Sequence, residues 1–223
     1  MVNQPMLLIT IDGPAGAGKT TVSKMLARGL EYRYLDTGAL YRAVAFGVRA
    51  AGIRPDDDQG LGGVCDTLRL SVEWNRLVLN GVDITGQIRS PEISMLASAV
   101  SARPVVRHAL LGIQRDMGRS GGLVAEGRDM GTVVFPEADL KFFLDATARQ
   151  RALRRFEQYD QGNGQTLEQI EQDIRRRDQN DSSRDLAPLR PADDAVIIDS
   201  TTMTVQRVVD LMMVRVRRII ELS

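Results

Sequence analysis

The stretch MLLITIDGPAGAGKTT, residues 6–21, decides how the rest of the chain is read. An apolar run from Met6 to Ile11 reads as a strand, and GPAGAGKTT, Gly13 to Thr21, follows almost at once. Gly13, Gly18, Lys19 and Thr20 satisfy G-x-x-x-x-G-K-[ST] in the context that pattern requires, after a strand and at the start of a helix. Each part has its own physical reason. The glycines let the backbone curl so that its N–H groups point inward at phosphate oxygens. The helix N-terminus adds the positive end of its dipole. Lys19 reaches the β- and γ-phosphates, and the Thr20 hydroxyl is a hard oxygen ligand for Mg²⁺. The expected triphosphate cradle is therefore Gly13, Pro14, Ala15, Gly16, Ala17, Gly18, Lys19, Thr20 and Thr21. The loop does not say where the terminal phosphate goes: to water, to a partner's switch, or to a small acceptor.

Outward from the loop, strands alternate with helices, the pattern of an α/β fold with a mainly parallel sheet and helices on both faces. Val22, Met25, Leu26 and Leu30 recur at helical spacing. YRYL (Tyr32 to Leu35) is a short second strand, and Leu40, Ala43, Val44, Val48 and Ala51 mark a second helix. LVAE (Leu123 to Glu126), LKFFLD (Leu140 to Asp145) and AVIID (Ala195 to Asp199) are short strands of the buried type. Capping boxes sign two helix starts, Thr147 with Gln150 and Thr166 with Gln169. The last helix runs from about Val205 to Leu222, with Val205, Val208, Val209, Met212 and Ile219 as its core-facing stripe.

Two stretches break the alternation. LRLSVEWNRLVLNGVDITG, Leu68 to Gly86, has period-two apolar residues around an Asn80-Gly81 turn, a strong hairpin signal. It reads as a small antiparallel insert, joined to the second helix through the Asp- and Gly-rich segment 56–63. The second break is YDQGNGQT (Tyr159 to Thr166) and the polar, arginine-rich stretch through Arg190, which suits a mobile flap over a charged site.

Bulk numbers exclude several classes. Lysine plus arginine equals aspartate plus glutamate at 29 each, so net charge steers nothing toward nucleic acid. No apolar run approaches the roughly 20 residues a membrane helix needs, and no basic-then-apolar leader opens the sequence. The single Cys65 fits a reducing cytoplasm. With one cysteine and one histidine, His108, a zinc site or a Ser/His/Asp triad has little to stand on. His108 lies in a helical pattern and reads as a helix-surface residue.

The remaining chemistry lies in polar residues just beyond strands. In YLDTGALYR, Asp36 and Thr37 follow the second strand, at the carboxyl edge where ligands of open α/β sheets bind, and Arg42 lies in the next helix. Thr37 as a helix N-cap and Arg42 as a surface arginine are the plainer alternative. AEGRDMGTVVFP repeats the arrangement with Arg128 and Asp129, where the alternative is a surface ion pair. In the flap, Arg177, Asp181 and Arg184 share a face if the segment is helical. A phosphoryl-transfer site must offset several negative charges, and arginine's fork suits phosphate.

With these segments in order, the sequence resembles the bacterial cytidylate kinases, a branch of the nucleoside monophosphate kinases. ITIDGPAGAGKTT, LDTGALYR, EGRDMGTVVFP, KFFLDA and IRRRDQNDSSRDLAPLRPADDAVIIDSTT carry the resemblance across nearly the whole chain. It implies a core at residues 1–55, 120–155 and 192–223, a monophosphate-binding insert at about 56–119 and a helical lid at about 156–191. It implies that Thr37 and Arg42, with Asp36 beside them, meet the acceptor monophosphate, and that Ser98, Arg107, Arg128 and Asp129 read cytosine. It implies that Arg177, Asp181 and Arg184 contact the acceptor's phosphate and sugar. Thr37 stands where many members carry serine; it keeps the hydroxyl and adds a methyl group. The implied reaction is transfer from ATP to CMP or dCMP with Mg²⁺, with Lys19, Arg128, Asp129, Arg177 and Arg184 as the catalytic set. The implied partners are these small molecules alone, with no nucleic acid or membrane, and the expected state is a monomer. Arg151, Arg154 and Arg155 are candidate adenine contacts. A kinase for another small acceptor is the alternative within the same chemistry; a regulatory GTPase lacks its N-K-x-D guanine-reading segment here.

Overall fold

A computed structural model describes residues 6–73, 76–158 and 164–222. In chain order its elements are β1 (Leu8–Asp12), α1 (Lys19–Leu30), β2 (Arg33–Asp36), α2 (Thr37–Ala50), α3 (Asp58–Thr67) and β3 (Leu70–Glu73). There follow β4 (Arg76–Leu79), β5 (Val82–Asp83), α4 (Pro91–Val100), α5 (Pro104–Gly118) and β6 (Leu123–Glu126). The chain closes with β7 (Leu140–Asp145), α6 (Ala148–Gln158), α7 (Leu167–Ser182), β8 (Val196–Asp199) and α8 (Val205–Leu222). A single π-helical turn, Met130–Val134, separates β6 from β7.

The chain forms two compact units, residues 1–35 with 118–223, and residues 36–117. The first is built on a five-stranded sheet in the order β2-β6-β1-β7-β8. β1 pairs in parallel with β6 and β7, and β7 with β8. Central strands of such a sheet are covered on both faces, so they read as continuous apolar runs rather than alternating ones. Ile9, Ile11, Val124, Phe142 and Leu144 are accordingly buried, with Val22 and Leu26 of α1 and Val208, Val209 and Met212 of α8. The expected stripe of α8 needs one correction. Val205, the first residue of the helix, is exposed, and Val216 joins Val208, Val209 and Met212 in the core. The Thr166–Gln169 capping box is complete at the start of α7. At α6 the Gln150 amide donates to Thr147 Oγ1 at 3.3 Å.

The second unit packs α2 on α4 and carries the three-stranded antiparallel sheet β3-β4-β5. Asn80 (φ 50°) and Gly81 (φ 81°) form the two-residue turn between β4 and β5, where both central residues must be left-handed. The Asn80 side-chain oxygen also accepts from the Arg69 amide at 2.8 Å, which anchors the turn to the start of β3. Trp74 and Asn75 of the expected hairpin lie outside the described residues, as do residues 159–163 of the expected flap. The expected core segment 1–55 includes helix α2. Its buried face of Leu40, Ala43, Val44 and Val48 packs on α4, so the units divide at residue 36. The expected lid segment clusters with the first unit.

Candidate active site

In the first unit β1 ends at Asp12 and the chain turns through Gly13 (φ 146°), Gly16 (φ 79°) and Gly18 (φ 95°). A Cβ on Gly13 would run into the carbonyl oxygen of Leu144 in β7. Gly18 caps α1 without a side-chain acceptor, which leaves the first-turn N–H donors to an anion. Lys19, only 7% exposed, donates from Nζ to the carbonyls of Gly13 and Pro14, each at 2.7 Å. Burial pushes its pKa down to about 7. The nearby charges of Arg128 and Arg177 push the same way, against Glu126 and Asp12. Thr20 and Thr21 are exposed on the first turn of α1.

The buried Asp12 carboxylate accepts from the amides of Met130 and Gly131, both at 2.8 Å. Those amides open the π-helical turn, which closes through Val134 N–H to Asp129 O at 3.2 Å and Phe135 N–H to Met130 O at 2.7 Å. The segment carrying Arg128 and Asp129 is thereby fastened to the residue that begins the phosphate loop. Burial raises the Asp12 pKa to about 6, although the Gly131 and Met130 amides pull it down. Glu126, buried at the end of β6, accepts a short hydrogen bond from the Tyr34 hydroxyl.

Asp181 joins the arginines. Its side chain is 1% exposed and accepts from Arg128 Nε at 2.9 Å and from Arg184. Burial by itself raises its pKa; Arg128, Arg184 and Arg177 outweigh burial and hold it below the ordinary carboxylate value. The expectation that Arg177, Asp181 and Arg184 share one helical face holds for the first two only. α7 ends at Ser182, and Arg184 reaches back to Asp181 from beyond the helix end.

In the second unit Asp36 caps α2 by accepting from the Ala39 amide at 2.9 Å, and it pairs with Arg42 Nη2 at 2.8 Å. The cap is therefore Asp36 rather than Thr37, which is buried as the first helical residue. Ser98 is half-buried on α4. Its carbonyl accepts from Ser101 Oγ at 2.9 Å, and the Ser101 carbonyl accepts from Arg107 Nη1 at 3.2 Å. The Arg107 guanidinium lies 5.8 Å from the centroid of the Tyr41 ring. So the first unit gathers Lys19, Arg128, Asp129, Arg177, Asp181 and Arg184, while the second gathers Asp36 with Arg42 and links Ser98 to Arg107.

The cytidylate kinase family profile matches residues 9–218. The chain belongs to the cytidylate kinase family. A cytidylate kinase of Geobacter sulfurreducens is 50% identical over 211 residues, 92% of this chain and 91% of that one. One from Coxiella burnetii is 43% identical over 223 residues, covering 96% and 94% of the two chains. Solved structures share the fold at low identity. A Sinorhizobium meliloti gluconokinase has a TM-score of 0.53 at 14% identity, covering 98% of this chain and 96% of its own. An Acinetobacter baumannii shikimate kinase has a TM-score of 0.50 at 15% identity, covering 96% and 95%. No helix among the described residues is long and apolar enough to cross a membrane.

Within this cytidylate kinase family member, sequence reasoning passed over Asp12, Glu126 and Tyr34. An acid closing an otherwise apolar strand was the available signal for Asp12 and Glu126. Nothing local marked Tyr34, whose partner lies 92 residues away. Two of the candidate adenine contacts have protein partners of their own. Arg151 is buried and Arg154 half-buried, and both guanidinium groups are engaged with protein oxygens.

Proposed function

We propose that this protein transfers the terminal phosphoryl group of ATP to CMP or dCMP, assisted by Mg²⁺, giving CDP or dCDP. The observation that carries the reading is the buried Lys19 set beside Arg128 and Arg177: burial depresses its pKa first, and the repulsion of the two arginines adds to that. An arriving polyphosphate relieves that repulsion, draws Lys19 from the Gly13 and Pro14 carbonyls and keeps it protonated. The names of the relatives supply the choice of acceptor.

In this reading the amides of residues 13 and 15–21, together with Lys19, hold the donor phosphates. The Thr20 hydroxyl would hold Mg²⁺, which would supply charge neutralisation at the phosphates. Thr20 is exposed on the first turn of α1, where its hydroxyl is open to such a metal–phosphate complex. Thr37 and Arg42 hold the acceptor phosphate, with Asp36 orienting Arg42. Cytosine offers an amino donor and two acceptors, which Asp129 and the Ser98 hydroxyl can meet from one side of the chemistry and Arg107 and Arg128 from the other. Arg177 and Arg184 neutralise the group in flight, with Asp181 aiming the arginines. Residues of about 156–191 act as the lid and those of about 56–119 as the acceptor insert. The acceptor phosphate is already ionised, so positioning in line and charge neutralisation suffice without a strong general base.

A coupled assay with ATP across CMP, dCMP, UMP, AMP, GMP and a set of hydroxylated acids tests the reading. Turnover confined to the cytosine nucleotides is the expected result. Equal rates on every nucleotide, or turnover only on a hydroxylated acid, would replace it with a kinase for another small acceptor.

A further inference from the structure

We infer that Arg151 and Arg154 of α6 are positioning residues that aim the amides of the phosphate loop. They stand three residues apart, on one face of the helix. Arg151 Nη1 donates to the Ala15 carbonyl at 2.9 Å, and Arg154 Nη1 donates to the Ala17 carbonyl at 3.3 Å. A peptide unit is planar and trans, so its N–H points opposite to its C=O. Drawing the Ala15 carbonyl toward α6 turns the Gly16 N–H away from α6, and drawing the Ala17 carbonyl does the same for the Gly18 N–H. Two alternate carbonyls are clasped from outside, and two amides are thereby presented together on the other side. The loop lies directly against the helix: a Cβ on Gly16 would come within 3.1 Å of Arg151 Cβ.

Each arginine is itself held. Arg151 Nε donates to the Ala146 carbonyl at 2.8 Å, and its Nη2 to Asp178 of α7 at 2.6 Å. Arg154 Nη2 donates to the Ser200 carbonyl at 2.6 Å and its Nη1 to Ser200 Oγ at 3.2 Å. Arg151 is 5% exposed, which leaves its guanidinium no face for a nucleobase. Because Asp178 adjoins Arg177, one guanidinium fixes both the loop and the helix that carries Arg177 and Asp181. Donors aimed before the ligand arrives need no reorganisation when charge moves, which is where such sites gain most.

This inference rests on the proposed reading of the loop as a phosphate cradle. It is tested on the full chain with Arg151→Met and Arg154→Met. Binding of ATP and of inorganic tripolyphosphate is measured by calorimetry, and the Gly16 and Gly18 amide signals are followed by ¹H–¹⁵N NMR. Both ligands should weaken by the same factor, about 10-fold to 100-fold, the usual effect of a misplaced donor set. The Gly16 signal should move in the first variant and the Gly18 signal in the second. Loss of ATP binding with tripolyphosphate unchanged would mark an adenine contact and overturn the inference. Unchanged binding of both ligands with unmoved signals would overturn it too. Should Arg151→Met fail to fold, the half-exposed Arg154→Met decides alone. Wild-type protein that binds tripolyphosphate yet phosphorylates no cytosine nucleotide would sink the proposed function while leaving this inference standing.

Discussion

The two units handle charge differently. In the first, Lys19, Asp12, Glu126, Asp129 and Asp181 are all buried, and the cations beside them are close enough to perturb one another. In the second, the corresponding charges are only partly buried: Arg42 pairs with Asp36 at about a quarter exposure, and Arg107 lies beside the Tyr41 ring. Buried charge is costly unless partnered, so its persistence in the first unit is a sign of work done on a strongly charged group. Half-exposed pairs contribute little to stability and are free to exchange partners with a ligand. On the proposed function, the first unit carries the transfer chemistry together with Arg128 and Asp129 for the base, and the second carries Arg42, Ser98 and Arg107 for the acceptor.

The largest break in this comparison is Lys19→Met. Turnover should fall by about three orders of magnitude or more, since a positioned charge at the phosphates is lost. Stability should respond in the opposite direction. Folded Lys19 has a pKa of about 7 against an ordinary lysine value of 10.5, so between those values the unfolded chain binds more protons. The cost of the buried cation is therefore fully present below pH 7 and disappears as pH rises through about 10.5. Melting curves should show the variant more stable than the parent at pH 6, with the gap closing toward pH 10; a variant less stable at pH 6 contradicts the buried, strained lysine.

Asp129→Ala should come next. It should lower kcat/KM for CMP and dCMP by about 10-fold to 100-fold, the cost of leaving a buried polar group unsatisfied. The ATP dissociation constant should barely change. An equal loss on every nucleotide acceptor would make Asp129 a structural or metal residue. In the second unit Arg107→Met should be gentler, raising the KM for CMP by about fivefold to tenfold through one lost donor. The kcat should hold. A fall in kcat with KM unchanged would move Arg107 into the transfer chemistry and blur the division between units.

The smallest expected effect is on the cap of α2. Asp36→Ala removes the acceptor of the Ala39 amide and should cost about 1 kcal/mol in a denaturation midpoint measurement. It also frees Arg42, so the KM for CMP should shift only modestly. A large loss of turnover would show that Asp36 touches the reacting groups.

The sequence by itself determined what depends on neighbours a few residues apart. The strand before GPAGAGKTT, the helix after it, the Asn80-Gly81 turn and the Thr166 capping box are all short-range patterns, and all are formed. Even the reach of α8 could be read from its period, although the exposure of its first residue, Val205, could not. Only the tertiary structure decided who partners whom. Arg128 meets Asp181 across 53 residues, Arg151 meets Ala15 across 136, and Asp12 meets Met130 across 118. A run such as IRRRDQNDSSRD looks the same whether its charges are solvated or buried, because local spacing fixes only which side chains share a face. Burial and pairing come from the packing of distant segments, and they set the perturbed pKa of Lys19 and the inward turn of Arg151 that no local pattern contained.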